Sequence, residues 1–252
     1  MPATPASEPA PPSVLGIDGC PSGWLAVAVA RPRGCAKDPR AAPRLSWRWS
    51  LLPELTNLGA PPEARLAVID VPIGLSDGPP RPCDQAARRL LGPRRSSVFT
   101  PPMRGMLDLP DRAAATRYGQ ARRAGGGLSA QAWNIVPKIR EADAAATPER
   151  QYRLREGHPE LAFARLHGAP LPHPKKTEAG ARLRHAVLRD AGLDAAGLLA
   201  DVRAAQPRRA VADDDVLDAA VLALTALAVL DGTAIRLGGE RDATGRVMEI
   251  LG

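Results

Sequence analysis

The chain has 252 residues, 44% of them hydrophobic, which allows one large domain or two small ones, each with an apolar core. The formal net charge of +7 permits a polyanionic partner such as nucleic acid. It does not identify one, because abundant arginine, alanine and proline with scarce lysine also indicate biased codon usage. The longest apolar run, residues 219–230, is shorter than the roughly 20 residues of a membrane span, so we predict a buried helix and no membrane association.

The first 13 residues are rich in proline and alanine and lack both a basic start and an apolar stretch. This composition predicts a disordered tail rather than a secretory signal. Cys20, Cys35 and Cys83 are widely spaced and fit no metal-ligand pattern. We therefore expect reduced thiols and a cytoplasmic protein.

The folded part is predicted to begin with three antiparallel strands. Residues 14–18 and 23–30 are apolar runs separated by turn residues, which is typical of a β-hairpin. Residues 44–51 alternate apolar and polar side chains, as in a half-exposed strand. A short helix is predicted over residues 52–58.

A fourth strand is predicted over residues 65–71, whose continuous apolar character suits a strand buried on both faces in a parallel pair. Asp70 lies near its end. We interpret residues 76–146 as a helical insertion over the sheet. The segments predicted within or near it are helices at 84–91, 112–124 and 130–146, an irregular stretch at 93–110 and a flexible glycine joint at 125–127.

The C-terminal part alternates strand and helix. A strand at 152–156 precedes helices at 161–167 and 177–191, and an edge strand at 246–251 follows the final helix. The whole pattern predicts an α/β protein with a mixed sheet flanked by helices, in one domain from residue 14 to residue 252.

Four aspartates, Asp213, Asp214, Asp215 and Asp218, directly precede the apolar run of the final helix. Acids in a first helical turn are stabilised by exposed N–H groups and the helix dipole. Like charges on one helix face repel each other, however, and Asp215 and Asp218 share a face. The cluster therefore either caps the helix or holds cations, and its local sequence leaves both interpretations open.

Two further acids end predicted strands: Asp18 the first and Asp70 the fourth. If these strands are parallel neighbours, both acids lie at one sheet edge, where such sheets bind ligands. Oxygen ligands without histidine or thiolate favour Mg²⁺ or Mn²⁺, and two such ions about 3.5–4 Å apart activate water in phosphodiester hydrolysis. Alternatively, Asp18 before Gly19 shapes a hairpin turn.

Other candidate site residues have equally simple alternatives. His158 and Glu160 suit a proton shuttle or an outer metal ligand, but Pro159 between them also suits a turn into a helix. Basic residues near predicted helix ends suit phosphate binding, or else a solvated basic surface. These candidates for substrate contact are Lys175, Lys176, Arg81 and Arg88.

As a set, several motifs in order along the chain resemble the DUF429 family, which is described as predicted nucleases with a ribonuclease H-like fold. They are Gly16-Ile-Asp18-Gly-Cys20 with Gly23-Trp24, Ile69-Asp70-Val-Pro-Ile-Gly-Leu75, Arg81-Pro-Cys-Asp84 with Arg88, Ser97-Val-Phe99, His158-Pro-Glu160 with Phe163, and Asp214-Asp215-Val-Leu-Asp218-Ala219. The last motif is similar to the paired acids that open the final helix of RuvC-type resolvases. This resemblance implies a ribonuclease H-like mixed sheet and two divalent ions held by Asp18, Asp70, Asp215 and Asp218.

The leading hypothesis is therefore a metal-dependent nuclease acting on DNA or RNA. One alternative is a nucleotide-binding phosphotransferase related to actin-like kinases, which also begin with a Gly-Ile-Asp-Gly hairpin. Those proteins need a second domain and a second glycine-rich turn, and we find neither in the sequence. The other alternative is a non-catalytic nucleic-acid-binding module with the same fold.

Overall fold

A computed structural model describes residues 13–32, 44–55, 64–78, 80–122 and 128–252. Its main feature is a five-stranded sheet in the order β3-β2-β1-β4-β5. The strands are β1 (Ser13–Cys20), β2 (Gly23–Ala30), β3 (Ser46–Leu52), β4 (Ala64–Ile69) and β5 (Leu154–Glu156).

The first three strands are antiparallel and the last two continue the sheet in parallel, which confirms the predicted mixed sheet. In β1 and β4, Ile17 is paired with Ile69, so the residue after each lies at the same edge. This topology is consistent with a ribonuclease H-like fold. Ser13, which we expected in the N-terminal tail, already belongs to β1, while the rest of the tail lies outside the described residues.

Eight helices are described, together with two short 3₁₀ segments at Gly92–Ser97 and Arg104–Met106. The helices are α1 (Pro82–Leu91), α2 (Arg112–Ala121), α3 (Ala130–Asn134), α4 (Val136–Ala145), α5 (Pro159–His167), α6 (Glu178–Asp190), α7 (Ala195–Ala205) and α8 (Asp213–Leu230).

Both faces of the sheet are covered, because successive strand side chains point to opposite sides. On one face, Leu25 and Val27 pack in a core that contains most of α8 together with residues of α5, α6 and α7. On the other face, Ile17 and Trp24 pack against α4. Helix α8 is buried along nearly its whole length, as the apolar run predicted. Among the helices of the described segments, none has the length and apolar character needed to cross a membrane.

Several predicted boundaries need correction. The helix expected over residues 130–146 is two helices, α3 and α4, and Pro137 in the first turn of α4 explains the break because it has no N–H to continue a helix. Leu52 ends β3 instead of starting a helix, and residues 56–58 of that expected helix lie outside the described segments, as do the glycine joint at 125–127 and Cys35. Cys20 and Cys83 are buried free thiols.

Two elements were not predicted from the sequence: helix α7 and strand β6 (Arg236–Arg241). Strand β6 pairs antiparallel with β7 (Val247–Leu251) in a separate two-stranded sheet. Strand β7 is the edge strand that we expected over residues 246–251, and a bridge between Leu251 and Gly157 ties it to the end of β5.

Candidate metal centre

Asp18 lies on the central strand of the sheet, near the end of β1, and is buried. Its Oδ1 accepts a hydrogen bond of 2.7 Å from the backbone N–H of Gly19. The hairpin itself turns later, at Pro21 and Ser22, so shaping the turn does not account for the burial of this carboxylate. A buried acid is costly unless it has a charged or polar partner.

Asp70 follows β4 directly, and its backbone N–H donates to the carbonyl of Ile17 at 3.0 Å. This bond extends the parallel pairing by one residue and places Asp70 beside Asp18 at the carboxyl end of both strands. The sequence-based expectation that these strands are parallel neighbours is therefore confirmed.

Asp218 is brought to the same edge by helix α8, which packs across β1, β2 and β4. The closest approach is at Gly16, where an added Cβ would lie 1.9 Å from the carbonyl oxygen of Ala219 and 2.2 Å from the nitrogen of Ala223. Only a glycine lets the helix backbone contact the strand in this way. The residue before Ala219 is Asp218, so this contact sets the position of its carboxylate.

The three carboxylates of Asp18, Asp70 and Asp218 converge, with one oxygen from each within 4.8 Å of the others. Burial, followed by the charges of its acidic neighbours, raises the pKa of Asp18 well above its ordinary value. Burial likewise raises the pKa of Asp70 to about 6 and that of Asp218 to about 6. A cluster of carboxylates whose ionised forms are disfavoured by burial and by each other can hold a metal ion.

Lys175 supplies positive charge to this cluster. Its Nζ lies 2.7 Å from Oδ2 of Asp218 and 3.1 Å from Oδ2 of Asp214. Burial alone would lower the pKa of Lys175, but the two carboxylates outweigh it and raise that pKa above its usual range. The sequence suggested Lys175 only as a phosphate-binding residue, and the structure places it among the acids themselves. Its neighbour Lys176 is exposed.

Asp215 is not among the three converging acids, and its role as a metal ligand stays a prediction. Its Oδ2 accepts a 2.8 Å hydrogen bond from the backbone N–H of Ala212, so it stabilises the start of α8. Asp213, at the first position of the helix, pairs instead with Arg203 and Arg208. The charge of Asp215 still contributes to the raised pKa of Asp18, after burial and the nearer acids.

His158 and Glu160 lie at the start of α5, next to the acid cluster. Glu160 is buried, and its Oε1 accepts from Arg184 and, at 3.5 Å, from Arg94. Within the described segments, neither Oε2 of Glu160 nor Nδ1 of His158 has a hydrogen-bond partner. The charge of Glu160 contributes to the raised pKa of Asp70, and burial lowers the pKa of His158, which favours its neutral imidazole. Neither residue belongs to the converging set.

Arg81 and Arg88 make structural contacts. The guanidinium of Arg81 is buried and bonds both oxygens of Glu156 at 2.7 Å and both oxygens of Asp84 at 2.6 and 3.0 Å. Arg88 donates to the carbonyl of Val98 at 3.0 Å and to Thr100 at 2.9 Å. The charge of Arg81 is thus neutralised within the protein, whereas Arg88 is half-exposed.

Sequence reasoning missed Glu156, the acid at the end of β5. It is paired with Ile69 in β4 and therefore lies at the same carboxyl edge as Asp18 and Asp70. The rule that identified those two acids, a carboxylate that ends a strand, would have identified it too. Its pairing with Arg81 distinguishes it from the three converging acids, and no local pattern reveals that pairing.

No curated protein and no solved structure matches the chain. A family model described as "Protein of unknown function (DUF429)" matches residues 16–243, which is most of the chain. The chain therefore belongs to the DUF429 family.

Proposed function

We propose that this protein is a nuclease that hydrolyses phosphodiester bonds of DNA or RNA with Mg²⁺ or Mn²⁺. The observation that supports this most directly is the convergence of Asp18, Asp70 and Asp218 at the carboxyl edge of two parallel strands. That edge is where open α/β sheets place their ligands.

The donor set suits a hard divalent ion, since every converging ligand atom is a carboxylate oxygen. Asp18 and Asp218 are buried by rigid elements, so their oxygens are held in place before an ion arrives. We extend the proposal to two ions, as the similarity to resolvases implies. Glu160 supports a second ion, because its buried Oε2 has no hydrogen-bond partner within the described segments and its negative charge raises the pKa of Asp70. Divalent ions at such a site supply activation of a water and stabilisation of the leaving oxygen.

The surrounding side chains have separate roles in this proposal. Burial favours the neutral form of His158, and its Nδ1 has no hydrogen-bond partner among the described residues, so it is suited to accept a proton close to the cluster. Glu160 is fixed by Arg184. Lys175 offsets the charge of Asp218, and the exposed Lys176 beside it adds positive charge where a phosphate backbone would approach.

The test is cleavage by purified protein of labelled single-stranded DNA, duplex DNA, branched DNA and RNA, with Mg²⁺, with Mn²⁺ and with EDTA. We expect metal-dependent cleavage of at least one substrate, and at least a hundredfold loss in Asp18→Asn because one ligand to the ion is removed. Asp190→Asn is the matched control, since Asp190 is exposed on α6. Cleavage that persists in Asp18→Asn would refute this site assignment.

Metal binding is measured separately, by calorimetric titration of Mn²⁺ into the wild type and Asp18→Asn. Binding that is lost in the variant, together with cleavage, supports the nuclease. Binding without cleavage of any nucleic acid would contradict the proposed reaction while retaining the metal site. If neither is observed, a non-catalytic module is the better description.

A further inference from the structure

A cavity of about 460 Å³ lies in the chain segment that follows Asp70, and none of the three converging acids is among its described lining residues. Its described lining residues all fall between Ser76 and Ser129, in the segment that we interpreted as an insertion. The volume lies within the range of about 300–1,000 Å³ that is typical of sites for small organic ligands. A group the size of one nucleoside fits such a space, whereas a nucleic-acid duplex is too wide to enter it.

A small cleft lies between this cavity and Asp70 of the metal centre. Asp70 and His158 line the cleft at the end near the metal centre. The cleft and the cavity share five lining residues: Arg81, Asp84, Val98, Phe99 and Pro101. The cleft has a volume of only about 20 Å³, so the shared residues show that the cavity lies close to Asp70 and is separated from it by these side chains.

The lining combines flat apolar surface with polar groups. Phe99 is half-buried against the methionine-rich cluster of Met103 and Met106, and it lines both the cavity and the cleft. Ser76 and Thr100 contribute hydroxyl groups, and Arg88 contributes a half-exposed guanidinium. An aromatic ring beside apolar side chains, with hydrogen-bonding groups at the rim, is suited to a planar heterocycle that has a polar edge.

The charges in the cavity argue against a phosphate as its occupant. Arg81 lines the cavity, but its guanidinium is already bonded to Glu156 and Asp84, and the carboxylate of Asp84 lines the cavity as well. An anion beside Arg81 would meet a neutralised arginine and an acid, and Arg88, the other arginine of the described lining, already donates to Val98 and Thr100. A neutral base suits these surroundings better, and the phosphate belongs at the metal centre.

We propose that the cavity binds one unpaired nucleobase whose attached phosphodiester lies at Asp18, Asp70 and Asp218. The inference rests on the proposed nuclease function for the position of the phosphate, and it specifies the substrate class: nucleic acid with an unpaired nucleotide, as in a single strand or a frayed end. A base inside a duplex reaches such a cavity only after it is unstacked and unpaired, and this requirement weakens the binding of a duplex.

The test measures binding rather than cleavage, so that it does not depend on the proposed reaction. Fluorescence anisotropy in the Asp218→Asn background compares a short single-stranded oligonucleotide, the same sequence in a blunt duplex, and the free mononucleotide. We expect the single strand to bind at least tenfold more tightly than the duplex. If the mononucleotide binds as tightly as the single strand, the base site is supported and a free nucleotide is its ligand.

Two variants test the cavity itself. Phe99→Ala removes the stacking surface and is expected to weaken single-strand binding about tenfold. Gly78→Trp is expected to fill the cavity, because Gly78 lines the cavity and a Cβ there meets no atom within 4 Å. We expect it to weaken single-strand binding by the same factor. The matched controls are Tyr152→Ala, an exposed aromatic residue outside the cavity lining, and Ala204→Trp, on the exposed face of α7.

Equal binding of single strand and duplex, or unchanged affinity in both cavity variants when circular dichroism shows that they are folded, would overturn the proposal. If wild-type protein cleaves nucleic acid while these variants bind normally, the nuclease function stands and the base site is wrong. If the variants lose binding but no cleavage is found with any metal, the base site stands and the proposed reaction is wrong.

Discussion

Gly16 of β1 and Ala219 of α8 are in direct backbone contact: a Cβ on Gly16 would lie 1.9 Å from the carbonyl oxygen of Ala219. The contact joins the two elements that carry Asp18 and Asp218, and each acid is within two residues of it. Because the helix cannot approach the strand so closely over any other side chain, the geometry of the acid cluster depends on this glycine.

Gly16→Ala is therefore expected to move α8 away from β1 and to separate Asp218 from Asp18. We expect a loss of about 2–4 kcal/mol in the free energy of unfolding, from overpacking between two backbone segments, together with weaker Mn²⁺ binding. Chemical denaturation and calorimetric titration measure the two effects. The control is Gly78→Ala, since a Cβ at Gly78 meets no atom within 4 Å. Normal Mn²⁺ affinity in folded Gly16→Ala would show that the contact does not position the site.

The acid cluster should make the metal-free protein less stable as the pH rises. The folded-state pKa of Asp70 is about 6, above the ordinary value of 3.8, so the folded protein binds more protons than the unfolded chain between these values. The associated stability is fully present below about pH 4 and is lost as the pH rises through about 6. We expect metal-free Asp70→Asn to be more stable than wild type at pH 7.5, by about 1–3 kcal/mol.

Urea denaturation in EDTA at pH 5 and at pH 7.5 measures this difference. Added Mg²⁺ should stabilise the wild type at pH 7.5 and have little effect on Asp70→Asn, because the variant lacks a ligand. The converse result, in which metal-free Asp70→Asn is the less stable protein at pH 7.5, would mean that the carboxylate already has a stabilising partner.

Lys175 should substitute in part for a metal ion. Lys175→Met keeps the apolar stem but removes the charge next to Asp218 and Asp214, so the metal-free protein is expected to lose about 1–2 kcal/mol of stability at pH 7.5. Mg²⁺ should stabilise this variant more than it stabilises wild type. Thermal melts with and without Mg²⁺ measure both effects. Lys176→Met is the matched control because Lys176 is exposed, and an equal effect of the two changes would indicate a general loss of positive charge.

The positions of Asp18 and Asp70 were predictable because the apolar pattern of a strand shows where that strand ends. An apolar run that ends in an acid, repeated in two parallel strands, places both acids at one edge. The same pattern is present at Glu156, which ends β5 beside β4. Lys175 could not be found in this way, since it reaches Asp218 across 43 residues of sequence from the segment before α6. Such contacts depend on how whole elements pack.

The elements that the sequence did not reveal have weak local patterns. Helix α7 consists mostly of alanine and leucine, without a clear separation of apolar and charged faces. Strand β6 contains Gly238 and Gly239, both with positive φ, and the second sits at a register shift that interrupts the alternation of side chains. In both cases the tertiary contacts, rather than the intrinsic pattern, determine the structure.

The position of Asp215 relative to the start of α8 determines whether its carboxylate caps the helix or binds a metal ion. The helix begins at Asp213, so Asp215 falls in its first turn, where its carboxylate bonds the N–H of Ala212. Asp215→Asn keeps an oxygen that can accept this bond and should retain nearly full stability, whereas Asp215→Ala should lose about 1 kcal/mol. Urea denaturation distinguishes the two variants. Mn²⁺ titration should give Asp215→Asn an affinity within a few fold of wild type, while Asp218→Asn loses binding. Equal loss in both would mean that Asp215 leaves the helix end to join the metal site, as the similarity to resolvases implies.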